Sequence, residues 1–458
     1  MNPQRRALLR AGSLAAALPL TAGAGSAAAA SAAALAPPLP LVPAGTTSEM
    51  LAGNQAYWQA VAAQYDTTDA IVQLDNAFWG SMARPVLRHY EQQLSMVNRH
   101  NAWYARMRFP ADFEAARAAA ARALGVATDE IVLTRGATEA LQVLIAGYNR
   151  LQPGDAVLYA DIDYDNMITV TRWLQQRRGA QVVSIDIPEP FTHDNVLAAY
   201  IAAMERHPKL KLMLLTHVNH RNGMVLPVAE ISRLARARGI DVIVDTAHGF
   251  GQLDMTIPDL QADFAGINLH KWIGAPVGVG AAYIKRGRVA DIDPYLGEKA
   301  GDDIRTRVHT GTVNFAAYLS LPAALDLHAQ IGVANKQARL RLLRNRWVEA
   351  ACGIDGIEVL ASSDARLTSA IASFRLKGKT SVADSYALSK KLVQEYGIFA
   401  VPRDGLASGA LRARHAGHLY ARVASGPAGR CPAQGGARVV AKGGGVPALE
   451  RPTLYCWT

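Results

Sequence analysis

The 458-residue chain contains only three cysteines, Cys352, Cys431 and Cys456, and this odd number at these spacings provides neither a disulfide framework nor a metal-ligand motif. No predicted strand is followed by Gly-x-Gly-x-x-Gly, which argues against a nicotinamide-dependent oxidoreductase. We find no internal repeat and no apolar run of the length that a membrane span requires. These absences favour a globular chain whose chemistry depends on other residue types.

The chain has fewer acidic than basic residues: 38 Asp and Glu compared with 48 Lys and Arg, which gives a formal net charge of +10. The excess lies at the two ends of the chain. Arg5, Arg6 and Arg10 supply +3 and the segment after Ala410 supplies +6, which leaves +1 for the body. A basic charge confined to the ends does not indicate a nucleic-acid partner. Half of the residues are hydrophobic, and the length predicts two or three domains with a large core.

Residues 1–35 resemble a twin-arginine export signal. Arg5 and Arg6 open a basic segment, a mildly apolar, Ala-rich run follows to about Ala30, and small residues lie near the end of this run. This order of features is that of a cleavable signal. We therefore predict a periplasmic protein exported by a twin-arginine-type signal, the alternative being a disordered or amphipathic Ala-rich arm.

Strand and helix patterns alternate from about residue 110 to residue 290. Such alternation predicts an α/β fold with a mostly parallel sheet, in which ligands lie at the carboxyl ends of the strands. We predict a linker and N-terminal segment over 36–70, a large domain over 71–320 and a small C-terminal α/β domain over 321–410. One long helix, Leu321–Cys352, is predicted to begin the small domain.

Two polar residues end predicted strands of the large domain. Asp245 follows the apolar strand Ile240–Val244, and Lys271 follows Ala262–Leu269. Either residue alone is usually only a solvated strand end. Together they fit pyridoxal 5'-phosphate: the lysine amine forms a Schiff base with the cofactor aldehyde, and the carboxylate keeps the pyridine nitrogen protonated. The pair therefore predicts a site for this cofactor.

A third segment, residues 134–141, is suited to binding phosphate. It joins a strand to a helix predicted over Ala137–Asn149, with Gly136 in the turn. In isolation the pattern is that of an ordinary capped helix with Thr138 as the N-cap. Next to the lysine and aspartate segments, the free N–H groups of the helix and the Thr138 hydroxyl predict a phosphate cradle. Tyr164 follows another strand and is suited to stack on a flat ring.

These motifs, in this order over roughly residues 70–410, resemble the class V aminotransferases, which are fold-type I pyridoxal-phosphate enzymes. The resemblance is greatest to isopenicillin N epimerase-like and cysteine desulfurase-like proteins. It implies a large domain with a mostly parallel sheet of the seven-stranded type, a small C-terminal α/β domain, and a homodimer with its active sites at the interface. It also implies the cofactor pyridoxal 5'-phosphate and a small amino substrate.

The resemblance assigns roles to individual residues. The implied catalytic residues are Lys271, Asp245 and His248, and His248 would hold the phenolic oxygen of the cofactor. The implied cofactor-binding residues are Ala137, Thr138, Tyr164, His220, Asp245, His248, Asn268, His270, Lys271 and Thr312. Thr312 would reach the phosphate bound by the partner subunit. Asn76 and Trp79 would line the substrate entrance.

The reaction itself stays open at this stage. Transamination requires one base that moves a proton from Cα to a cofactor carbon, whereas epimerisation requires proton transfer on both faces and hence a second acid–base group. Tyr164 and His220 are candidates for that group. A cysteine desulfurase requires a nucleophilic cysteine on a loop of the small domain, and residues 401–409 contain none. We therefore favour an aminotransferase, with an epimerase as the alternative, and disfavour a desulfurase.

The sequence changes character after about Ala410. Residues 411–458 are rich in Arg, Gly, Ala and Pro and have no apolar periodicity. Members of the family normally continue with a strand that carries an arginine for the substrate carboxylate. With suitable GC-rich codons, a reading frame that starts one nucleotide into Leu411 gives Cys-Ala-Arg-Val-Thr-Pro-Gly-Ile-Phe-Thr-Arg. We interpret residues 411–458 as a frameshifted or disordered tail, and a catalytically impaired cofactor-binding relative is a further alternative.

Overall fold

A computed structural model describes residues 37–309, 311–406 and 408–409, together with the backbone of 411–415. The predicted export signal in residues 1–35 lies outside the described residues, as does the predicted tail from residue 416 onward. No helix of the described ranges is both long and apolar enough to cross a membrane.

The described ranges contain helices and strands that alternate through the middle of the chain. The α-helices are α1 Ser48–Gly53, α2 Gln55–Ala62, α3 Arg84–Met107, α4 Phe109–Leu124, α5 Ala137–Gly147, α6 Asp165–Arg178, α7 His193–Arg206, α8 Val228–Arg236, α9 Phe315–Leu319, α10 Leu321–Ile331, α11 Val333–Cys352 and α12 Val382–Tyr396. The strands are β1 Val72–Gln73, β2 Ile131–Thr134, β3 Ala156–Ala160, β4 Gln181–Ile185, β5 Leu210–Thr216, β6 Asp241–Asp245, β7 Phe264–Asn268, β8 Gly280–Ile284, β9 Ile357–Val359, β10 Ile371–Leu376, β11 Ile398–Phe399, β12 Val401–Arg403 and β13 Leu411–His415.

A seven-stranded sheet forms the centre of the large domain, with the strand order β2-β8-β7-β6-β5-β3-β4. All neighbouring strands are parallel except β8, which runs antiparallel to both β2 and β7. Strands β2, β3, β7 and β8 are buried along their whole length, as expected when helices cover both faces of a parallel sheet. The predicted α/β fold with a mostly parallel seven-stranded sheet is confirmed.

Two glycines let α5 approach this sheet closely. A Cβ atom on Gly266 in β7 would lie 2.4 Å from Leu141 Cγ, and one on Gly280 in β8 would lie 2.5 Å from the Gly136 Cα. Neither distance is possible for a real side chain, so both positions require glycine. The close packing brings the N-terminus of α5 to the carboxyl end of the sheet, where ligands bind in such folds.

A second, four-stranded sheet lies in the C-terminal part, with the order β12-β13-β10-β9. Its strand β13, Leu411–His415, pairs antiparallel with β10 and with β12. The backbone of these five residues is paired with a strand on each side, and the prediction that residues 411–458 are a frameshifted or disordered tail stays a prediction. The predicted domain boundaries at 71 and 321 stay predictions.

The predicted single helix Leu321–Cys352 is also wrong. It is two helices, α10 and α11, separated by Gly332. Gly332 has a φ of 82°, and a residue in this left-handed region ends an α-helix. The break matters for the site, because α11 carries the buried Lys336, which contacts the segment containing Lys271.

Candidate active site

A cavity at the carboxyl ends of β5, β6 and β7 collects most of the residues predicted from the sequence. Its volume is about 610 Å³. Nine of the predicted site residues line it: Ala137, Thr138, Tyr164, His220, Asp245, His248, Asn268, His270 and Lys271. These residues are distant in sequence, so the parallel arrangement of the strands brings them together.

Lys271 and His248 form a close pair within the cavity. Lys271 Nζ lies 3.1 Å from His248 Nε2. Burial lowers the pKa of Lys271 to about 8, and the nearby Asp245 carboxylate opposes this shift. A substantial fraction of the amine is therefore neutral near pH 7.5, and the neutral amine is the form that attacks an aldehyde.

Asp245 ends β6 and is almost fully buried, with 4% of its surface exposed. Its Oδ1 accepts a hydrogen bond from the Ala247 N–H at 2.9 Å. Burial raises the pKa of Asp245, while this hydrogen bond and the charge of Lys271 lower it. A buried carboxylate of this kind is stabilised by a cation beside it, and the protonated nitrogen of a pyridine ring is such a cation.

The N-terminus of α5 opens into the cavity, since Gly136, Ala137 and Thr138 line it. Thr138 does not cap this helix. The N-cap residue is Gly136, and Asn268 Oδ1 accepts the Ala137 N–H at 2.7 Å. The Asn268 side chain therefore fixes the helix end against β7, and the remaining N–H groups of the first turn are suited to a phosphate.

His270 lies beside this helix end. Its Nδ1 donates to the Val279 carbonyl at 2.9 Å, which leaves Nε2 as an acceptor in the neutral ring. Burial lowers the pKa of His270 to about 4. His270 therefore donates to a phosphate only when it is protonated, and a phosphate dianion beside the ring favours that form.

Tyr164 and His220 form one wall of the cavity. Their rings meet edge to face, with centroids 5.3 Å apart and planes at 89°. Burial raises the pKa of Tyr164, so its hydroxyl keeps its proton at neutral pH. The pair therefore presents an aromatic surface and a proton donor to anything bound next to Lys271.

Three predicted residues are placed elsewhere. Asn76 is buried and Trp79 is 50% exposed, and neither of them lines the cavity. Phe78, which directly precedes Trp79 in the chain, does line the cavity and is 68% exposed. Thr312 lies in an exposed turn outside the cavity. Its predicted contact with the phosphate of a partner subunit stays a prediction.

Arg403, at the end of β12, lines the cavity and was missed in the sequence. Its buried Nε has no hydrogen-bond partner among the described residues. Burial lowers the pKa of Arg403, and Asp75 and Tyr164 oppose that shift. A guanidinium presented in this way is suited to a carboxylate, which accepts two parallel N–H donors.

The loop after Arg403 is held in place by Arg221, a fully buried arginine on the large domain. Its Nε donates to the Asp404 carbonyl at 2.5 Å, and its Nη1 donates to the Asp163 carbonyl at 2.6 Å. A Cβ atom on Gly405 would lie 2.5 Å from Arg221 Nη2, so glycine is required there. Arg221 therefore fixes Arg403 relative to the cavity wall that contains Tyr164.

The residues of the cavity fit pyridoxal phosphate. An amine for the aldehyde, a buried carboxylate for the ring nitrogen and a helix N-terminus for the phosphate all line one space. Thr216, at the end of β5, lines the same space. No cluster of three or more His, Cys, Asp or Glu in the described part of the chain is arranged to hold a metal ion.

Comparison with known proteins gives an independent result. Residues 73–412 match the family described as Aminotransferase class-V. Isopenicillin N epimerase from Streptomyces clavuligerus is 29% identical over 294 residues, which cover 60% of this chain and 73% of that protein.

Solved structures of similar fold agree with this family. A cysteine desulfurase from Escherichia coli in an S-sulfonic acid form has a TM-score of 0.66 and 25% identity, covering 78% of this chain and 93% of that one. A lysine-to-alanine variant of the cystine C–S lyase C-DES, with glycine covalently linked to its pyridoxal phosphate, has a TM-score of 0.64 and 21% identity. It covers 76% of this chain and 92% of that one.

Proposed function

Because the chain belongs to the class V aminotransferase family and is a pyridoxal-phosphate-dependent enzyme, we propose that it transfers a proton at Cα of an α-amino acid. The single observation that carries this proposal is the cavity wall on which Lys271, Asp245 and Arg403 stand together. Lys271 is a base, Asp245 a buried anion and Arg403 a carboxylate-binding cation. These are the groups that the reaction of an α-amino acid requires.

The chemistry divides between the cofactor and the chain. Pyridoxal phosphate, when bound, supplies an electron-accepting ring that stabilises negative charge at Cα of the substrate. Asp245 would hold the ring nitrogen and keep it protonated through a charge-assisted hydrogen bond. Lys271 would hold the aldehyde carbon and is the group placed to act as base toward the Cα proton. Arg403 binds the substrate carboxylate and thereby fixes which bond at Cα faces Lys271.

Transamination is the reaction that we favour, because one base is sufficient for it and Lys271 is well placed as that base. Epimerisation is the second candidate. It requires a proton donor besides Lys271, and Tyr164, whose raised pKa keeps its hydroxyl protonated, lines the same cavity. The prediction that disfavours a cysteine desulfurase is not supported by the comparisons, since a desulfurase is among the proteins of similar fold. Cleavage of a C–S bond is therefore included in the test.

The test is to supply the purified protein with pyridoxal phosphate and then with a panel of L- and D-amino acids, including cysteine. Oxo-acid formation supports transamination, interconversion of the L and D forms supports epimerisation, and release of sulfur or sulfide supports C–S cleavage. A cofactor absorption band that no amino acid changes would contradict the proposal and favour an impaired relative. Failure to bind the cofactor at all would contradict the site itself.

Replacing Arg403 with Gln is expected to raise KM for the amino-acid substrate by about 10- to 100-fold. The physical reason is the loss of a charge-assisted pair of hydrogen bonds, worth roughly 1.5–3 kcal/mol. Arg403→Lys should recover part of this loss, because it restores the charge but not the paired donors. The control ligand is an amine that has the side chain of the substrate but lacks its carboxylate. Equal weakening of both ligands in Arg403→Gln would assign the residue a structural role instead.

We also propose that the enzyme is a homodimer in which each cavity is completed by the partner subunit. Large apolar side chains are exposed near the cavity mouth and on α3, among them Phe78 at 68%, Trp103 at 58% and Met107 at 68%. Exposed apolar groups of this size favour a protein interface. The predicted role of Thr312 toward a partner's phosphate gives this proposal a direct test.

The dimer proposal is tested by mixing two inactive variants, Lys271→Ala and Thr312→Glu. In a mixed dimer one site combines an intact Lys271 with an intact Thr312 from the other subunit, so random exchange should restore about a quarter of the wild-type activity. The expected molecular mass in solution is that of two chains. Activity that stays at the average of the two variants after verified subunit exchange would contradict the shared site.

A further inference from the structure

We infer that Trp272 is a positioning residue: its indole N–H fixes His248 in the tautomer that carries the proton on Nε2, so that His248 donates a hydrogen bond to the Lys271 nitrogen. This inference rests on the proposed role of Lys271 as a base, but it concerns atoms that are present without cofactor or substrate. It can therefore be tested in the cofactor-free protein.

Each of the two ring nitrogens of His248 has a neighbouring side-chain nitrogen. Trp272 Nε1 lies 3.4 Å from His248 Nδ1, and Lys271 Nζ lies 3.1 Å from His248 Nε2. An indole N–H is only a donor, so Nδ1 must present its lone pair to it. A neutral imidazole whose Nδ1 is an acceptor carries its proton on Nε2. The Nε2–H then faces Lys271.

The consequence for Lys271 follows from the same rule. An ammonium group has three donors and no acceptor, so it cannot accept a hydrogen bond from Nε2–H. The neutral amine can, because it has a lone pair. The arrangement therefore favours the neutral form of Lys271, which is the nucleophile and the base. A doubly protonated His248 would set its Nδ1–H against the indole N–H, so Trp272 also disfavours the imidazolium form.

Both partners of this hydrogen bond are held in place. The Trp272 side chain is fully buried. The Lys336 amine, whose residue lies on α11 and is 4% exposed, donates to the Trp272 carbonyl. On the other side, Gln252 Nε2 donates to the His248 carbonyl at 2.7 Å. These two contacts hold the main chain at Trp272 and at His248, and complete burial restrains the indole ring.

Charged groups around the pair also act on the protonation of Lys271. The groups that act most strongly on the charge of Lys271 are Asp245, Asp75 and Arg403. The two carboxylates favour the ammonium form of Lys271, and Arg403 opposes it. The hydrogen bond from His248 therefore acts with burial and with Arg403 against the carboxylates.

The first test uses Trp272→Phe, which keeps an aromatic ring and removes the N–H. The matched control is Trp58→Phe, because Trp58 is equally buried and its Nε1 donates at 2.8 Å to the Leu51 carbonyl, away from the cavity. Ring ¹⁵N and ¹³C shifts of labelled histidine report the tautomer in the cofactor-free protein. His248→Gln identifies the relevant signal among the 12 histidines.

Wild type and Trp58→Phe are expected to show His248 with its proton on Nε2, whereas Trp272→Phe loses this preference. A His248 signal with the proton on Nδ1 in the wild-type protein would overturn the inference. An unchanged Nε2–H signal in a folded Trp272→Phe protein would overturn it as well.

The second measurement is the rate at which the cofactor-free protein takes up pyridoxal phosphate at pH 7.5, without any amino acid. Trp272→Phe is expected to slow this rate roughly 5- to 10-fold, the equivalent of one hydrogen bond, while Trp58→Phe leaves it unchanged. A slower rate in Trp58→Phe as well would assign the effect to loss of stability and overturn the positioning role. Neither measurement uses an amino-acid substrate, so both would give the same result if the proposed substrate or reaction were wrong.

Discussion

Lys271→Ala is expected to lower kcat by at least about 10³-fold and to abolish covalent attachment of the cofactor. The variant removes both the amine that bonds to the aldehyde and the base at Cα, and positioned acid–base groups contribute roughly 10²–10⁴-fold on their own. The measurement is turnover of the best amino acid together with the protein mass after borohydride reduction. Wild type should gain the mass of the cofactor less one oxygen atom, because the Schiff base forms with loss of water and its reduction adds two hydrogens, and Lys271→Ala should not gain this mass.

The same lysine predicts a pH dependence of cofactor uptake. Only the neutral amine attacks the aldehyde, so the uptake rate should rise with pH. Its midpoint should lie near pH 8, since burial lowers the pKa of Lys271 to about 8 from a usual value of 10.5. Lys285→Ala is the control, because Lys285 is a half-exposed lysine paired with Asp263. Normal covalent attachment in Lys271→Ala, or loss of it in Lys285→Ala, would contradict the assignment.

The sequence predicts the centre of this site because its signals are local. Asp245 and Lys271 each follow a short apolar run, and parallel strands place such residues at one edge of a sheet. The nine predicted residues around the cavity either follow a strand in this way or belong to the start of the helix after β2. Periodicity also predicts the sheet, since strands that are covered on both faces must be apolar throughout.

The features that the sequence did not predict depend on contacts between distant segments. Asn268 fixes the start of α5 from 131 positions away, so the local pattern pointed to Thr138 instead. Arg403 reaches the cavity because Arg221 holds the following loop. Neither contact leaves a periodic or local trace in the chain. The helix break at Gly332 was not predicted for a different reason: a glycine within a helical pattern is tolerated in many helices and ends only some of them.

Asp245→Asn is expected to lower kcat by roughly 10²–10³-fold while the protein still binds pyridoxal phosphate. The substitution keeps the shape of the side chain, and its oxygen can still accept the Ala247 N–H. It removes the negative charge that keeps the ring nitrogen protonated, so negative charge at Cα is no longer stabilised effectively. The measurements are kcat for the best substrate and the Kd for the cofactor.

Asp163→Asn separates this electrostatic role from the general cost of changing a buried carboxylate. Asp163 is fully buried, accepts the N–H groups of Ala160 and Thr216, and does not line the cavity. Its substitution should reduce stability, since it disturbs two buried hydrogen bonds, but should change kcat of the folded protein little. Equal losses of kcat in the two variants would mean that these buried carboxyl groups support the fold rather than the reaction. A loss confined to Asp245→Asn would locate the electrostatic contribution at Asp245.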